Sequence, residues 1–189
     1  GGADDWEELA RTSTNREAQV TARGIAASIR ATCGDLESAC RLIEEALEIP
    51  EVSQADEFLS NDLPDLVRCA CEAGNLELAD RLVHIDEPRF PYAAHAQVAG
   101  RALVAERRGN CEEALAGFRE AAERWEKFGI PLEVAHARLG EARCLIAVGR
   151  AAEAEASLVE AHEIFERLGA VAAIQQAESV QAELTAAKR

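Results

Sequence analysis

This chain of 189 residues contains no methionine, only five prolines, and aromatic side chains at only 4% of its positions. Because proline is scarce, long helices can continue without interruption. No segment shows the strict alternation of apolar and polar residues that half-buried strands show. No apolar run approaches the ~18 residues of a transmembrane helix, and no signal-peptide pattern opens the chain. These absences favour an all-helical domain, and six cysteines without a secretory signal suggest the reducing cytoplasm.

The missing methionine has a second implication, since translation starts with that residue. We expect the chain to be a piece of a longer protein, with Gly1-Gly2 as the remnant of a cleaved tag and Arg189 as an artificial end. Residues 1–14 are predicted to hold this remnant and either a short helix, with Trp6 and Leu9 facing inward, or a frayed segment.

Sequence patterns of enzyme active sites are absent as well. No H-E-x-x-H pair, phosphate-binding glycine loop or nucleophile elbow occurs. The six cysteines form no C-x-x-C pair, so we interpret them as small core residues, with metal or disulfide roles as the alternative. The sequence therefore predicts a protein that is not an enzyme and that needs neither a metal nor another cofactor.

The charge is strongly negative and unevenly distributed. The net charge is −15, of which residues 1–94 carry −12 and residues 95–189 carry −3. An acidic surface repels phosphate backbones, so we do not expect nucleic-acid binding. The acids either keep a helical array soluble or form a docking surface for a basic partner.

What the sequence does contain is a glycine followed five residues later by an alanine, four times over. The pairs are Gly34/Ala39, Gly74/Ala79, Gly109/Ala114 and Gly149/Ala154, at spacings of 40, 35 and 40 residues. A period in this range indicates stacked helical hairpins.

Each repeat is consistent with a helix, a tight turn and a second helix. Glycine ends a helix well because it adopts left-handed backbone angles without a steric penalty. Asp35, Asn75 and Asn110 are suited to cap the helix that follows. Apolar residues in the second helices recur every three or four positions, which is one face of a helix. The predicted hairpins span about 15–48, 62–85, 92–128 and 132–168, and a capping helix spans 171–187.

These residues resemble the tetratricopeptide repeat, which has a small residue in its first helix, a glycine before the turn and alanines in its second helix. The corresponding small residues are Ala27, Ala102 and Ala142, and the second alanines are Ala46, Ala121 and Ala161. The second hairpin departs from this pattern with Val67 and Asp86. HEAT-like repeats are a rival on length, at ~40–47 residues. The resemblance implies a right-handed α-α superhelix of about four hairpins, formed as a single domain by residues 15–189.

A narrower resemblance covers roughly residues 60–170. It is carried by Trp125–Ala135, Arg138–Leu145 and Ile164–Ala170. These segments are similar to the repeat tails of large bacterial signalling ATPases, frequent in actinobacteria, that carry a LuxR-type DNA-binding domain or an adenylate cyclase domain. The resemblance implies a regulatory region in bacterial signal transduction and transcription regulation.

In tetratricopeptide arrays the first helices form the inner, concave wall that contacts partners. The positions of this chain that map to the wall are Arg68, Glu72, Leu103, Glu106, His136, Leu139 and Arg143. Arg68 and Arg143 are expected to pair with acidic groups of a ligand; the alternative is that they are ordinary exposed side chains or pair with acids of the protein itself.

We therefore expect a protein-interaction scaffold that binds a peptide, a partner domain or another part of its own polypeptide. The alternative is a module that senses a small-molecule inducer in the groove. Homo-oligomer formation is the third possibility. No interaction with a membrane is expected.

Overall fold

The computed structural model describes residues 2–49, 59, 61–85, 88 and 90–188. Within these residues it delimits ten α-helices and contains no strand, which confirms the predicted all-α class. The helices are α1 (Gly2–Thr12), α2 (Arg16–Thr32), α3 (Leu36–Leu47), α4 (Leu63–Glu72), α5 (Leu76–Leu82), α6 (Pro91–Arg107), α7 (Cys111–Phe128), α8 (Pro131–Ala147), α9 (Ala151–Leu168) and α10 (Val171–Ala187).

The chain divides into two compact units within α6, residues 1–100 and residues 101–189. Unit 1 contains α1 to α5 and the start of α6, and unit 2 contains the rest. The four hairpins of the sequence correspond to α2–α3, α4–α5, α6–α7 and α8–α9. A single domain over residues 15–189 stays a prediction, as does its superhelical arrangement. Asp86, one of the departures from the repeat pattern, lies outside the described residues.

The four repeated glycines make the same turn. Their φ angles are +81° at Gly34, +74° at Gly74, +82° at Gly109 and +78° at Gly149. In each turn the amide of the next residue donates to the carbonyl five positions before it: Asp35 to Arg30 (3.0 Å), Asn75 to Ala70 (2.9 Å), Asn110 to Ala105 (2.9 Å) and Arg150 to Leu145 (2.8 Å). This bond is the mark of a glycine C-cap. The predicted sequence of helix, glycine turn and helix is therefore present four times.

The predicted N-caps form in two of three cases. The side chain of Asp35 accepts from the amide of Ser38 at 3.2 Å, and that of Asn75 accepts from Leu78 at 3.0 Å. Asn110 lies at the N-cap position of α7 as predicted, but its side chain makes no capping hydrogen bond. The first turn of α7 instead carries Glu112 and Glu113, whose negative charges favour the N-terminal end of a helix.

In unit 1, α1 packs on α2, α2 on α3, and α4 on α5. Helix α1 packs on the rest of unit 1 through the face that carries two small residues, Ala3 and Ala10, and both are buried. Leu9 is 43% exposed, so the prediction that it faces inward was wrong. At 3.6 residues per turn Leu9 lies roughly 120° around the helix from Ala3, whereas the half-buried Trp6 lies closer to the packed face.

The core of unit 2 is built from large side chains of α7 to α10, among them Trp125, Phe165 and Leu184. Helices α6 and α7 approach closely at Gly117, where an added β-carbon would lie 2.8 Å from the Cβ of Ala102. The small residue predicted for the first helix of this hairpin therefore lies at a close helix contact.

Two more glycines occupy matching positions in successive hairpins, and an apolar side chain of the preceding hairpin packs on each of them. Gly100 and Gly140 each stand nine residues before a turn glycine. A β-carbon would lie 2.5 Å from Cγ1 of Val83 at Gly100, and 2.5 Å from Cε1 of Phe118 at Gly140. Consecutive hairpins are thus joined by a side chain that packs directly on the backbone of the next helix.

Candidate functional site

In unit 1 the predicted wall residues lie on α4. Arg68 donates from Nη2 to Oδ1 of Asp65 at 2.6 Å, one turn earlier on the same helix, and its side chain is 21% exposed. Glu72 is exposed at the end of α4. Asp62 lies just before the first residue of this helix. Its burial, and to a smaller extent the negative charge of Asp65, raise the pKa of its carboxyl group. This part of the predicted wall is polar, and its arginine pairs with an acid of the protein.

In unit 2 the predicted wall residues Glu106 and Arg143 bind each other. Arg143 of α8 donates through Nε and Nη2 to both carboxylate oxygens of Glu106 on α6, with Nη2 to Oε2 at 2.8 Å. The side chains are only 26% and 12% exposed. Burial opposes the charge of Arg143, but the hydrogen bonds to Glu106 and the charge of Glu183 on α10 raise its pKa. In the structure, Arg143 therefore pairs with an acid of the protein itself, which is one of the alternatives that the sequence left open.

The other predicted residues of unit 2 lie at or under the surface. The His136 ring packs against Phe165, with ring centroids 5.0 Å apart and the planes at 61°. Leu103 is buried, and Leu139 is 1% exposed. Leu139 therefore belongs to the core and offers no surface to a ligand, which corrects its assignment to the wall.

The sequence did not predict a charge network around Glu141 of α8, which is 5% exposed. Its Oε1 accepts from Nε of Arg119 on α7 at 2.7 Å, and its Oε2 accepts from Nη1 of Arg138 at 3.0 Å. Arg138 also pairs with Glu160 on α9 at 2.9 Å. The network joins three successive helices of unit 2. One signal in the sequence could have identified Glu141. It is an acid that stands between Gly140 and Ala142, two small residues on the packed side of the helix.

Burial alone raises the pKa of Glu141, because a low-polarity environment disfavours a carboxylate. The hydrogen bonds from Arg119 and Arg138 outweigh this effect and hold its pKa below the usual range. Glu141 is therefore a permanently charged carboxylate at neutral pH, and an acid with a depressed pKa is a poor proton donor. Its surroundings are those of a structural ion pair.

Unit 1 also contains an open cavity of about 450 Å³ between α1, α2 and α3. Its lining is mostly charged and consists of Asp4, Glu7, Ala10, Arg11, Arg23, Arg41, Leu42 and Glu45. Arg23 donates to the carbonyl of Ala10 at 3.4 Å and pairs with Glu45 at 3.4 Å, while Arg41 pairs with Glu45 at 2.8 Å. The charges that line this cavity therefore neutralise one another to a large extent.

Among the described residues, no three His, Cys, Asp or Glu side chains converge in a way that would hold a metal ion. The helices described are also too short or too polar to cross a bilayer. No protein-family model matches the chain, and no curated protein sequence is significantly similar to it.

Proposed function

We propose that this chain is a non-catalytic protein-interaction scaffold that binds a peptide or a partner domain on the wall formed by its first helices. The observation that supports this proposal is the fourfold repetition of one hairpin turn, with a left-handed glycine and the same backbone hydrogen bond each time. Repeated helical hairpins stack into extended surfaces that suit polypeptide partners. The all-helical fold and the polar side chains on α4 are consistent with such a surface.

The resemblance to the tails of bacterial signalling ATPases extends the proposal. We take the scaffold to be a cytoplasmic regulatory region of a larger protein in signal transduction and transcription regulation. An antibody raised against the chain tests this on endogenous protein. A band several times larger than the 20.4 kDa of this chain supports a regulatory region, and a band near that mass refutes it.

The binding surface is tested by peptide selection, because a selection works even when the natural partner is unidentified. The chain is used to select ligands from a library of random displayed peptides, and calorimetry gives the Kd of each enriched peptide. The wall variant is Arg68→Ala with Glu72→Ala. The matched control is Glu77→Ala with Arg81→Ala, which removes one acid and one base from the exposed side of α5 in the same hairpin.

We expect the wall variant to bind selected peptides at least about tenfold more weakly, since one charged hydrogen bond contributes about 1.5–3 kcal/mol. The control variant should bind as the unchanged chain does. Circular dichroism must show the same helicity in all three proteins. Equal losses in the two variants, or peptides that neither variant affects, would exclude this wall as the binding surface.

A small-molecule sensor is the second candidate, and the cavity of unit 1 favours it by volume, since ligand sites enclose about 300–1,000 Å³. Its lining argues the other way, because ligand pockets are mostly apolar with a few polar groups, whereas six of these eight lining residues are charged. A thermal-shift screen of metabolites, repeated on Arg23→Ala, tests this candidate. A compound that stabilises only the unchanged chain would support it.

A further inference from the structure

Four of the six cysteines lie in matching places in the two units. Cys69 on α4 and Cys144 on α8 each stand five residues before a turn glycine. Cys40 and Cys111 lie on α3 and α7, the second helices of the preceding hairpins, six and two residues after their turn glycines. Offsets that differ by four residues lie on the same face of a helix. Each unit therefore directs two cysteines from consecutive hairpins toward the same helix contact.

The helices that carry each pair pack on each other. Helix α3 packs on α4 and helix α7 packs on α8. At these contacts the thiol of Cys40 is within hydrogen-bonding reach of Cys69, and that of Cys111 is within reach of Cys144. All six cysteines are free thiols in this structure. Neighbouring thiols form a disulfide when their sulfur atoms approach to ~2.05 Å.

We propose that Cys40 with Cys69, and Cys111 with Cys144, are two redox modification sites, each of which converts from a pair of thiols to a disulfide that joins consecutive hairpins. This inference is independent of the proposed function. It assigns a role to cysteines that otherwise act as small apolar core residues.

The reaction is a thiol–disulfide exchange with a low-molecular-weight disulfide as the oxidant. One cysteine loses its proton and attacks a sulfur of the oxidant, which releases one thiol and leaves a mixed disulfide on the protein. The second cysteine loses its proton and attacks the protein sulfur, releasing the second thiol. The protein loses two electrons and two protons, and the oxidant is reduced to two thiols.

Accessibility predicts which site reacts first. Cys111 is half-buried, whereas Cys40, Cys69 and Cys144 are buried. Burial raises the pKa of both Cys69 and Cys144 to about 12, so neither supplies the initial thiolate readily. Cys111 is therefore the attacking thiol of unit 2, and Cys144 resolves the mixed disulfide. In unit 1 both thiols are buried, and their oxidation is the slower of the two.

The experiment uses the whole chain, oxidised with glutathione disulfide under native conditions to equilibrium. Samples taken over time are alkylated in denaturant, and peptide mass spectrometry identifies each bond. We expect the two intramolecular bonds, with the Cys111–Cys144 bond appearing first, while the exposed Cys33 carries at most a mixed disulfide with glutathione. Circular dichroism must stay constant, so that the bonds are known to form in the folded protein.

Variants separate the proposal from general oxidation of exposed thiols. In Cys144→Ser, or in Cys144→Ala if the hydroxyl prevents folding, Cys111 should be recovered as a mixed disulfide with glutathione. The unit 1 bond should still form in that variant. The matched control is Cys33→Ser, which removes the exposed cysteine and should leave both bonds and their order unchanged.

Two results would overturn the proposal. The first is that the paired thiols remain reduced at equilibrium while Cys33 alone is modified or links two chains. The second is a mixture of bonds among all six cysteines, because this would show oxidation of unfolded chains.

Discussion

Phe118 of α7 lies directly over the backbone of Gly140 in α8, and it leaves no room there for a β-carbon. A β-carbon at Gly140 would stand 2.5 Å from Cε1 and 2.7 Å from Cε2 of the ring. Phe118 is itself buried, so a shift of the ring would disturb its packing in the core. The distance between these helices of unit 2 is thus set by a glycine under an aromatic ring.

Gly140→Ala is therefore expected to destabilise the protein. The added methyl group overpacks the contact at a cost of about 1–3 kcal/mol, which exceeds the gain in helix propensity of at most about 1 kcal/mol. Urea unfolding gives the free energy. Phe118→Leu in the same chain should recover part of the loss, because it withdraws the clashing ring atoms. Additive effects of the two substitutions would show that Phe118 does not confine Gly140.

Ala114→Leu tests the alanine that follows the turn glycine of the third hairpin. Ala114 is completely buried, so a leucine there should overpack the helix contact and cost about 1–3 kcal/mol. The matched control is Ala116→Leu, two residues along the same helix, where the side chain is exposed. A melting temperature that falls in the first variant and not in the second supports the packing. Equal melting temperatures would place Ala114 outside the contact.

These two predictions show what the sequence could and could not specify. The turn at Gly109 and the burial of Ala114 follow from local rules, because glycine tolerates a left-handed angle and small residues allow helices to approach. The contact of Phe118 with Gly140 joins two helices, and no local pattern specifies which side chain covers which glycine.

The candidate site was predictable to a smaller extent, for the same reason. The wall was assigned by mapping helix positions, and an error of one residue turns a helix by about 100°. Leu139 was placed on the wall and lies in the core. The partner of Arg143 is an acid 37 residues away, and a pairing over that distance depends on tertiary structure.

Arg143→Ala is expected to lower stability as well as change the surface. It leaves the carboxylate of Glu106, which is 12% exposed, without its bidentate partner, at a cost of about 1–3 kcal/mol. Adding Glu106→Gln should return part of this energy, and the double-mutant cycle by urea unfolding measures the coupling. The control is Arg124→Ala, whose pair with Glu120 is exposed and contributes at most about 1 kcal/mol. A coupling energy of zero would mean that the pair contributes no stability.

The pH dependence of stability should contain a contribution from Glu141. Its pKa in the folded protein lies below the usual range, and the unfolded value is about 4.3. The folded state therefore binds this proton less readily than the unfolded state does. The resulting stability is fully present above pH ~5 and is lost as the pH falls through the folded pKa.

Glu141→Gln removes this contribution and leaves Arg119 and Arg138 without their shared carboxylate. We expect the variant to be less stable by about 3 kcal/mol at pH 7, and the difference should shrink as the pH falls from about 5 through the folded pKa of Glu141, where the carboxylate of the unchanged chain becomes protonated. Urea unfolding at each pH measures it. Glu163→Gln, at an exposed position of α9, should follow the unchanged chain throughout. A difference that stays constant from pH 7 to pH 3 would show that packing, and not the charge of Glu141, stabilises this position.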